Sequence, residues 1–220
     1  MSASALEVAG ELVAREALRL WKLDIYDPSS KDVSLHGLRS LEVINEITQA
    51  CNFGEYEGND VKKWGAVVEW CSMLAMKAWA DVGGLDRRWL KHHSQSTKRL
   101  ARWAQYLPFN EHKSGVRPLQ PEDRRLFVDL RSSPMFPVRR GDIVVVGDGK
   151  PPEGDHVCIA MGVTERNGID TISGNGGGMG PTGDTRQGIR RKTYYPGPGT
   201  GYRALWLVRP GFGDLVAERG

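Results

Sequence analysis

The two structural periodicities of this chain do not interleave. As far as about Tyr106 the apolar residues recur at spacings of three and four, and beyond Gly141 they fall into short β-branched runs. Helices gathered ahead of strands argue against a parallel sheet built from alternating βαβ units. They point instead to an α+β fold in which N-terminal helices pack on a C-terminal antiparallel β-sheet.

In the helical half, Leu6, Ala9, Leu12, Val13, Ala17, Leu20 and Trp21 form one stripe between Ala5 and Leu23, and Tyr26-Asp27-Pro28-Ser29-Ser30 breaks it. A second helix is expected from near Leu38 to Cys51, with Leu41, Ile44, Ile47 and Thr48 on one face, ended by the turn-rich stretch from Asn52 to Asp60. A third begins at Cys71, where Cys71, Leu74, Ala75, Ala78, Trp79 and Val82 share a face and Gly83-Gly84 supply the stop. Another is expected between Ser94 and Tyr106, and Asp123 to Leu130 reads as a short helix. The strand-like runs are Asp142–Val146, His156–Val163, Gly168–Ser173 and Tyr202–Val208. A length of 220 residues with 40% hydrophobic content suits one domain. Residues 1–53 are expected to form a helical extension packed on a core spanning 54–210.

Several function classes fall away on charge and composition. The net charge of +3 is too small to argue for nucleic acid without a dense basic patch. No stretch approaches the roughly 18 uncharged apolar residues of a membrane span. Glu7 and Glu11 stand where an export signal needs a basic start and an apolar core, so synthesis in the cytoplasm without a signal peptide is expected. Cys51, Cys71 and Cys158 are odd in number and lack paired spacing, which suits a reducing compartment better than a disulfide scaffold.

The chemistry-bearing residues follow one order. Cys71 heads a helix, where unpaired N–H groups and the helix dipole favour a thiolate. His156 opens a strand and is a candidate base. Strand alternation sends His156, Cys158, Ala160 and Gly162 to one face, whose small residues suggest that a helix packs closely there. Asn175, in Gly174-Asn175-Gly176, follows the neighbouring strand and can orient the imidazole through its amide oxygen, adding no charge. The backbone N–H of Cys71 would supply one oxyanion donor.

Each residue also has a plain structural reading: Cys71 as core packing, His156 as a satisfied strand residue, Asn175 as a turn residue tolerant of left-handed backbone. Cys71, His156 and Cys158 could in principle bind zinc, yet no close-paired ligand spacing is present. Adjacent His92 and His93 read as surface residues. The glycine run from Gly176 to Gly180 lacks a P-loop Lys-Ser/Thr and reads as a flexible loop bordering a groove. Arg186, Arg190, Arg191 and Lys192 read as a solvated strand face, or as a surface attracting cell-wall carboxylates.

The ordered set resembles the CHAP family, the cysteine, histidine-dependent amidohydrolases/peptidases. The resemblance runs from Gly54-Glu55-Tyr56-Glu57-Gly58-Asn59-Asp60 through Trp70-Cys71-Ser72, Gly141-Asp142-Ile143-Val144 and His156-Val157-Cys158-Ile159 to Ile172-Ser173-Gly174-Asn175 and Gly188-Ile189-Arg190-Arg191. It implies a papain-like fold and hydrolysis of an amide bond in peptidoglycan, by an N-acetylmuramoyl-L-alanine amidase or a stem-peptide or cross-bridge endopeptidase. It makes Cys71 the nucleophile, His156 the base and Asn175 the orienting residue, with Trp70, Tyr56 and Ser173 as substrate-binding residues and no metal or cofactor needed. Such a protein would be a phage endolysin released through a holin, or an antibacterial effector delivered by a secretion apparatus, acting on the cell wall or in the periplasm. Two positions depart from the family: Ser173 stands where many members carry a glutamate, and Cys158 replaces a glycine and would crowd the cleft. A non-catalytic cell-wall or protein-binding module of the same fold, or a cysteine isopeptidase or acyltransferase acting on proteins, is the alternative.

Overall fold

A computed structural model describes residues 3–28, 33–52, 70–94, 96–105, 124–149, 154–211 and 214–215. Among them, five helices precede six strands: α1 (Ala3–Lys22), α2 (Leu35–Ala50), α3 (Cys71–Val82), α4 (Arg87–His93), α5 (Thr97–Gln105), β1 (Leu126–Asp129), β2 (Ile143–Gly147), β3 (His156–Val163), β4 (Ile169–Gly176), β5 (Gly188–Tyr194) and β6 (Arg203–Arg209). The strands form one sheet in the order β1-β6-β2-β3-β4-β5, antiparallel at every pairing. The fold is α+β, with N-terminal helices and a C-terminal antiparallel sheet.

Two local expectations change. Leu126-Phe127-Val128-Asp129 is a strand rather than part of a helix, because β6 offers it a ladder running from Leu126↔Arg209 to Asp129↔Trp206. Ahead of α5 lies a separate short helix, α4, whose start is capped by the Asp86 carboxylate accepting from Arg88 N–H at 2.9 Å.

The central strands of the sheet are buried on both sides, and their alternation decides which residues meet the helices. Ile143, Val145, Val157, Ile159, Met161 and Ile172 join the apolar cluster that contains α1 and α3. Val144, Val146, Cys158, Ala160 and Leu207 turn the other way, into a second cluster with Leu130 and Tyr194, edged by Phe136 and Val138. The expectation that helices pack on the Cys158–Ala160 face is therefore overturned. Helices cover the face with the bulkier alkyl area, which removes more apolar surface from water.

Helix α3 crosses β3 and β4, and α1 lies against α3 and β3 to β5. A Cβ on Gly10 of α1 would sit 2.5 Å from the Arg140 carbonyl oxygen, and Trp79 of α3 donates through Nε1 to the Gly141 carbonyl at 2.8 Å. Both helices thus rest on the turn that opens β2. No side chain caps the start of α3. Packing holds it instead, since Met73, Leu74, Met76 and Trp79 are each buried and each such side chain contributes about 1.5–3 kcal/mol.

Trp70, just before α3, is fully buried and its Nε1–H donates to Asp27 Oδ1 at 3.1 Å. Asp27 is held in turn by its own N–H, which donates to the Gln187 carbonyl at 2.7 Å beside β5. The indole lies so close to β4 that a Cβ at Gly174 would meet its ring carbons at 2.3 and 2.4 Å. Gly174→Ala is expected to destabilise the protein by about 1–3 kcal/mol through overpacking. Urea denaturation of the wild type and variant with an unchanged m-value measures this; equal midpoints would show that the indole can yield.

Candidate active site

Cys71 is the first residue of α3 and is 2% exposed. Its helix start carries no side-chain cap, so the first-turn N–H groups present their partial positive charge at the thiol. His156 is the first residue of β3, opposite Val146 of β2, and is half-buried. Burial, and after it the positive charge of Lys192, pushes its pKa from 6.5 down to about 4. The imidazole is therefore neutral at pH 7, and its buried Nε2 has no hydrogen-bond partner.

Asn175 lies near the end of β4, where the pairing with β5 slips between Ser173 and Gly176. Its φ of +50° is in the left-handed region that asparagine tolerates, and its carbonyl accepts from Gln187 Nε2 at 3.3 Å. Its side-chain Oδ1 is buried and accepts no hydrogen bond, so the expected orienting bond from the imidazole is not made in this geometry. Gly176 is the spacer between the groups: a Cβ there would lie 2.6 Å from Ser173 Oγ and 3.2 Å from His156 Nε2.

A cavity of about 290 Å³ opens on these residues, lined by His156, Asn175, Gly176, Lys192, Tyr194 and Tyr202 among others. Cys71 is not among its lining residues. Its position is set by Trp70, which packs on Gly174, the neighbour of Asn175, and its electrostatic influence reaches Cys158 and Tyr194. A second cavity, of about 440 Å³, lies at the same end of the sheet, with Gly201 and Arg203 in its lining on either side of Tyr202 in the sequence. Gly147, which lines the second cavity, lies beside Asp155, which lines the first: a Cβ on Gly147 would sit 3.0 Å from Asp155 Oδ2.

The remaining expected residues are placed differently. Trp70 lies inside the protein with no exposed face, so it shapes the site as a wedge. Ser173 is buried and its hydroxyl is directed at Cys158. Tyr56 and the Gly54–Asp60 motif lie outside the described residues, as do the side chains of His92 and His93. Cys158 packs into the apolar layer behind the sheet and does not line the cavity; burial drives its pKa up to about 12. Cys51 is also buried, with its thiol pushed up to about 11.

The glycine loop after β4 is tied down: Trp21 Nε1 donates to the Met179 carbonyl at 3.0 Å and Thr182 Oγ1 donates to Asp24 Oδ2 at 2.5 Å. The basic cluster is not one surface. Arg190 is fully buried, and Arg191 pairs with Asp170 on the α1 side of β5. Sequence reading did not single out Lys192 from its basic cluster or Gly176 from its glycine run, and it missed Tyr202 as a lining residue of this cavity. A signal for Lys192 was available in the alternation of Arg190, Lys192 and Tyr194 along β5, which separates it from Arg191.

Among the described residues, no group of three or more His, Cys, Asp or Glu side chains is placed to hold a metal ion, and no helix is long and apolar enough to cross a membrane. No known protein family, curated protein or solved structure matches the chain.

The His156 environment has a measurable consequence. With a folded-state pKa of about 4 against 6.5 for the exposed group, the unfolded chain takes up a proton that the folded chain refuses as pH falls through that window. Stability contributed by the neutral ring is thus lost between pH 6.5 and 4. The melting temperature of the wild type should fall more steeply across this window than that of His156→Gln. Parallel curves would count against a buried, neutral imidazole.

Proposed function

We propose that this protein is a cysteine amidohydrolase of papain-like architecture that cleaves an amide bond in peptidoglycan. The observation that carries the reading is that three elements gather at one end of the sheet, the Cys71 helix start on the helix side and the His156 ring on the face with Tyr194. Cys71 heads a buried helix, that helix start is wedged against β4 one residue from Asn175, and His156 opens the neighbouring strand with an unpartnered ring nitrogen in a cavity.

In the proposed reaction, neutral His156 accepts the Cys71 proton as sulfur attacks the amide carbonyl carbon. The tetrahedral oxyanion is met by first-turn N–H groups of α3, including that of Cys71. His156, now protonated, gives its proton to the leaving amine as the C–N bond breaks, leaving a thioester on Cys71. Water then loses a proton to His156 and attacks the thioester. The carboxylic acid product departs, and the proton returns to the thiolate. Since Nε2 holds no hydrogen bond at rest and the ring lies on the face turned from α3, the proposed reaction requires substrate binding to bring thiol and imidazole together around the end of the sheet. Asn175 Oδ1 would take up the ring's other N–H in that closed arrangement. The two adjoining cavities suit a polymeric substrate laid across the end of the sheet. Synthesis in the cytoplasm and release by a holin or a secretion apparatus would bring the enzyme to the wall.

A non-catalytic binding module of the same fold is the second reading, favoured by the unmade bonds at His156 Nε2 and Asn175 Oδ1. Turbidity loss of purified peptidoglycan separates the two. The wild type is expected to release fragments and Cys71→Ala to lose at least about 10³-fold in rate, in line with removal of a nucleophile. The amine or carboxyl end exposed in the products, read by mass spectrometry, names the bond. Equal rates for both proteins would overturn the assignment, and a Cys71 thiol alkylated with an apparent pKa near the unperturbed value of about 8.5 would favour the module.

A further inference from the structure

We propose that Lys192 is the carboxylate-recognition residue of this site: its ammonium, at the rim of the His156 cavity, binds a carboxylate of the substrate beside the amide to be cut. The preferred substrate class is then an acidic stem peptide with that carboxylate free. This deepens the hydrolase reading above and rests on it for the identity of the peptide.

The first support is an accounting of charge along one strand and its approach. Arg186 pairs with Asp184 at 2.7 Å, and Arg190 lies between Asp184 at 3.5 Å and Asp24 at 3.9 Å. Arg191 pairs with Asp170 at 2.5 Å. Among the described residues, Lys192 alone of this basic run has no carboxylate partner. The strand explains the difference, because Arg191 turns toward Trp21 of α1 while Lys192 shares the face of Tyr194 and lines the cavity.

Position and field agree with that accounting. The Lys192 ammonium lies 5.2 Å from the Tyr194 ring centroid, a contact that steers a cation without neutralising it. Asp155 also lines the cavity but makes no ion pair with Lys192 among the described residues, so the ammonium remains available to a ligand. Lys192 is the charged group that adds to burial in depressing the His156 pKa. A carboxylate bound on Lys192 offsets that field and makes the imidazole a stronger base only when an acidic substrate is present. Binding and basicity are thereby coupled through one side chain.

The test is binding to the Cys71→Ala protein, which requires no turnover. The probes are a synthetic stem peptide with its acidic residues as free carboxylates and the same peptide with them as carboxamides. The free acid is expected to bind about tenfold more tightly, as suits a charge-assisted contact at a solvent-exposed rim. Lys192→Met should abolish that preference by weakening the acid alone, and Lys192→Arg should restore part of it. Equal binding of the two peptides, equal weakening of both by Lys192→Met, or binding of neither overturns the proposal. Lack of peptidoglycan hydrolysis by the wild type, with the acid preference intact, overturns the hydrolase reading and leaves the carboxylate site standing.

Discussion

The burial of Trp70 is the contact on which the remaining geometry depends. Three segments meet at its indole, the link after α1 through Asp27, the start of α3 and Gly174 of β4, and Asp27 ties in a fourth, the approach to β5, through the Gln187 carbonyl. Burying an aromatic side chain of this size removes about 150–250 Å² from water. At about 25 cal/mol per Å² that is worth roughly 4–6 kcal/mol, an upper estimate against an extended chain. The hydrogen bond to Asp27 adds about 1 kcal/mol. Area therefore supplies most of the energy, and the hydrogen bond supplies direction by fixing the rotation of the ring. Because α3 begins at the next residue without a side-chain cap, the orientation of that ring also sets where the Cys71 thiol and the first-turn N–H groups point.

Around this wedge the polar groups of the candidate site are only partly satisfied. His156 Nε2 and Asn175 Oδ1 are buried without partners, and each such group costs about 1–3 kcal/mol if left unmet. Gly176 leaves room beside the imidazole, since a Cβ there would lie 3.2 Å from His156 Nε2. The imidazole is a weak base at rest, chiefly because it is buried and secondarily because Lys192 faces it. The side-chain amide of Asn175, whose Oδ1 is itself unpartnered, adds no charge to correct this. An anion bound at Lys192 would, and on the proposal above the basicity of the site is then tied to occupancy.

Much of the fold was readable because period and burial coincide. The stripe from Leu6 to Trp21 became α1, the Cys71 stripe became α3, and the β-branched runs became β2, β3, β4 and β6. Errors arose where local pattern is silent about partners. Leu126 to Asp129 has no two-sided pattern of its own and becomes a strand only because β6 lies beside it. The choice of which face of β3 meets the helices turned on comparing two apolar sides, and the small residues Cys158 and Ala160 proved to face a second layer made by Leu130, Phe136 and Val138. At the candidate site, Cys71, His156 and Asn175 stand out in the sequence by their order, whereas the position of Lys192 on the cavity is hidden inside a basic run. Charge density alone does not reveal that Arg190 is consumed by a buried network with Asp24 and Asp184.

The second apolar layer also explains why all the candidate chemistry lies at one end of the sheet. A strand with both faces buried has its register enforced from two sides, since a one-residue slip would exchange the two clusters. Neither face is then available to a large ligand, and the places left are strand ends, where backbone and side chains emerge from the packing. His156 begins β3, Asn175 and Gly176 end β4, Gly147 ends β2 and Arg203 begins β6. In an antiparallel sheet of this order, those positions fall at a common end, which is where both cavities open. The helix layer contributes to that end through the start of α3. The scaffold is thus held where it is apolar, so an exposed side chain at this end such as Lys192 can be altered with little loss of folding energy, unlike Gly174, on which the wedge rests, and Gly176, where a Cβ would meet Ser173 Oγ at 2.6 Å.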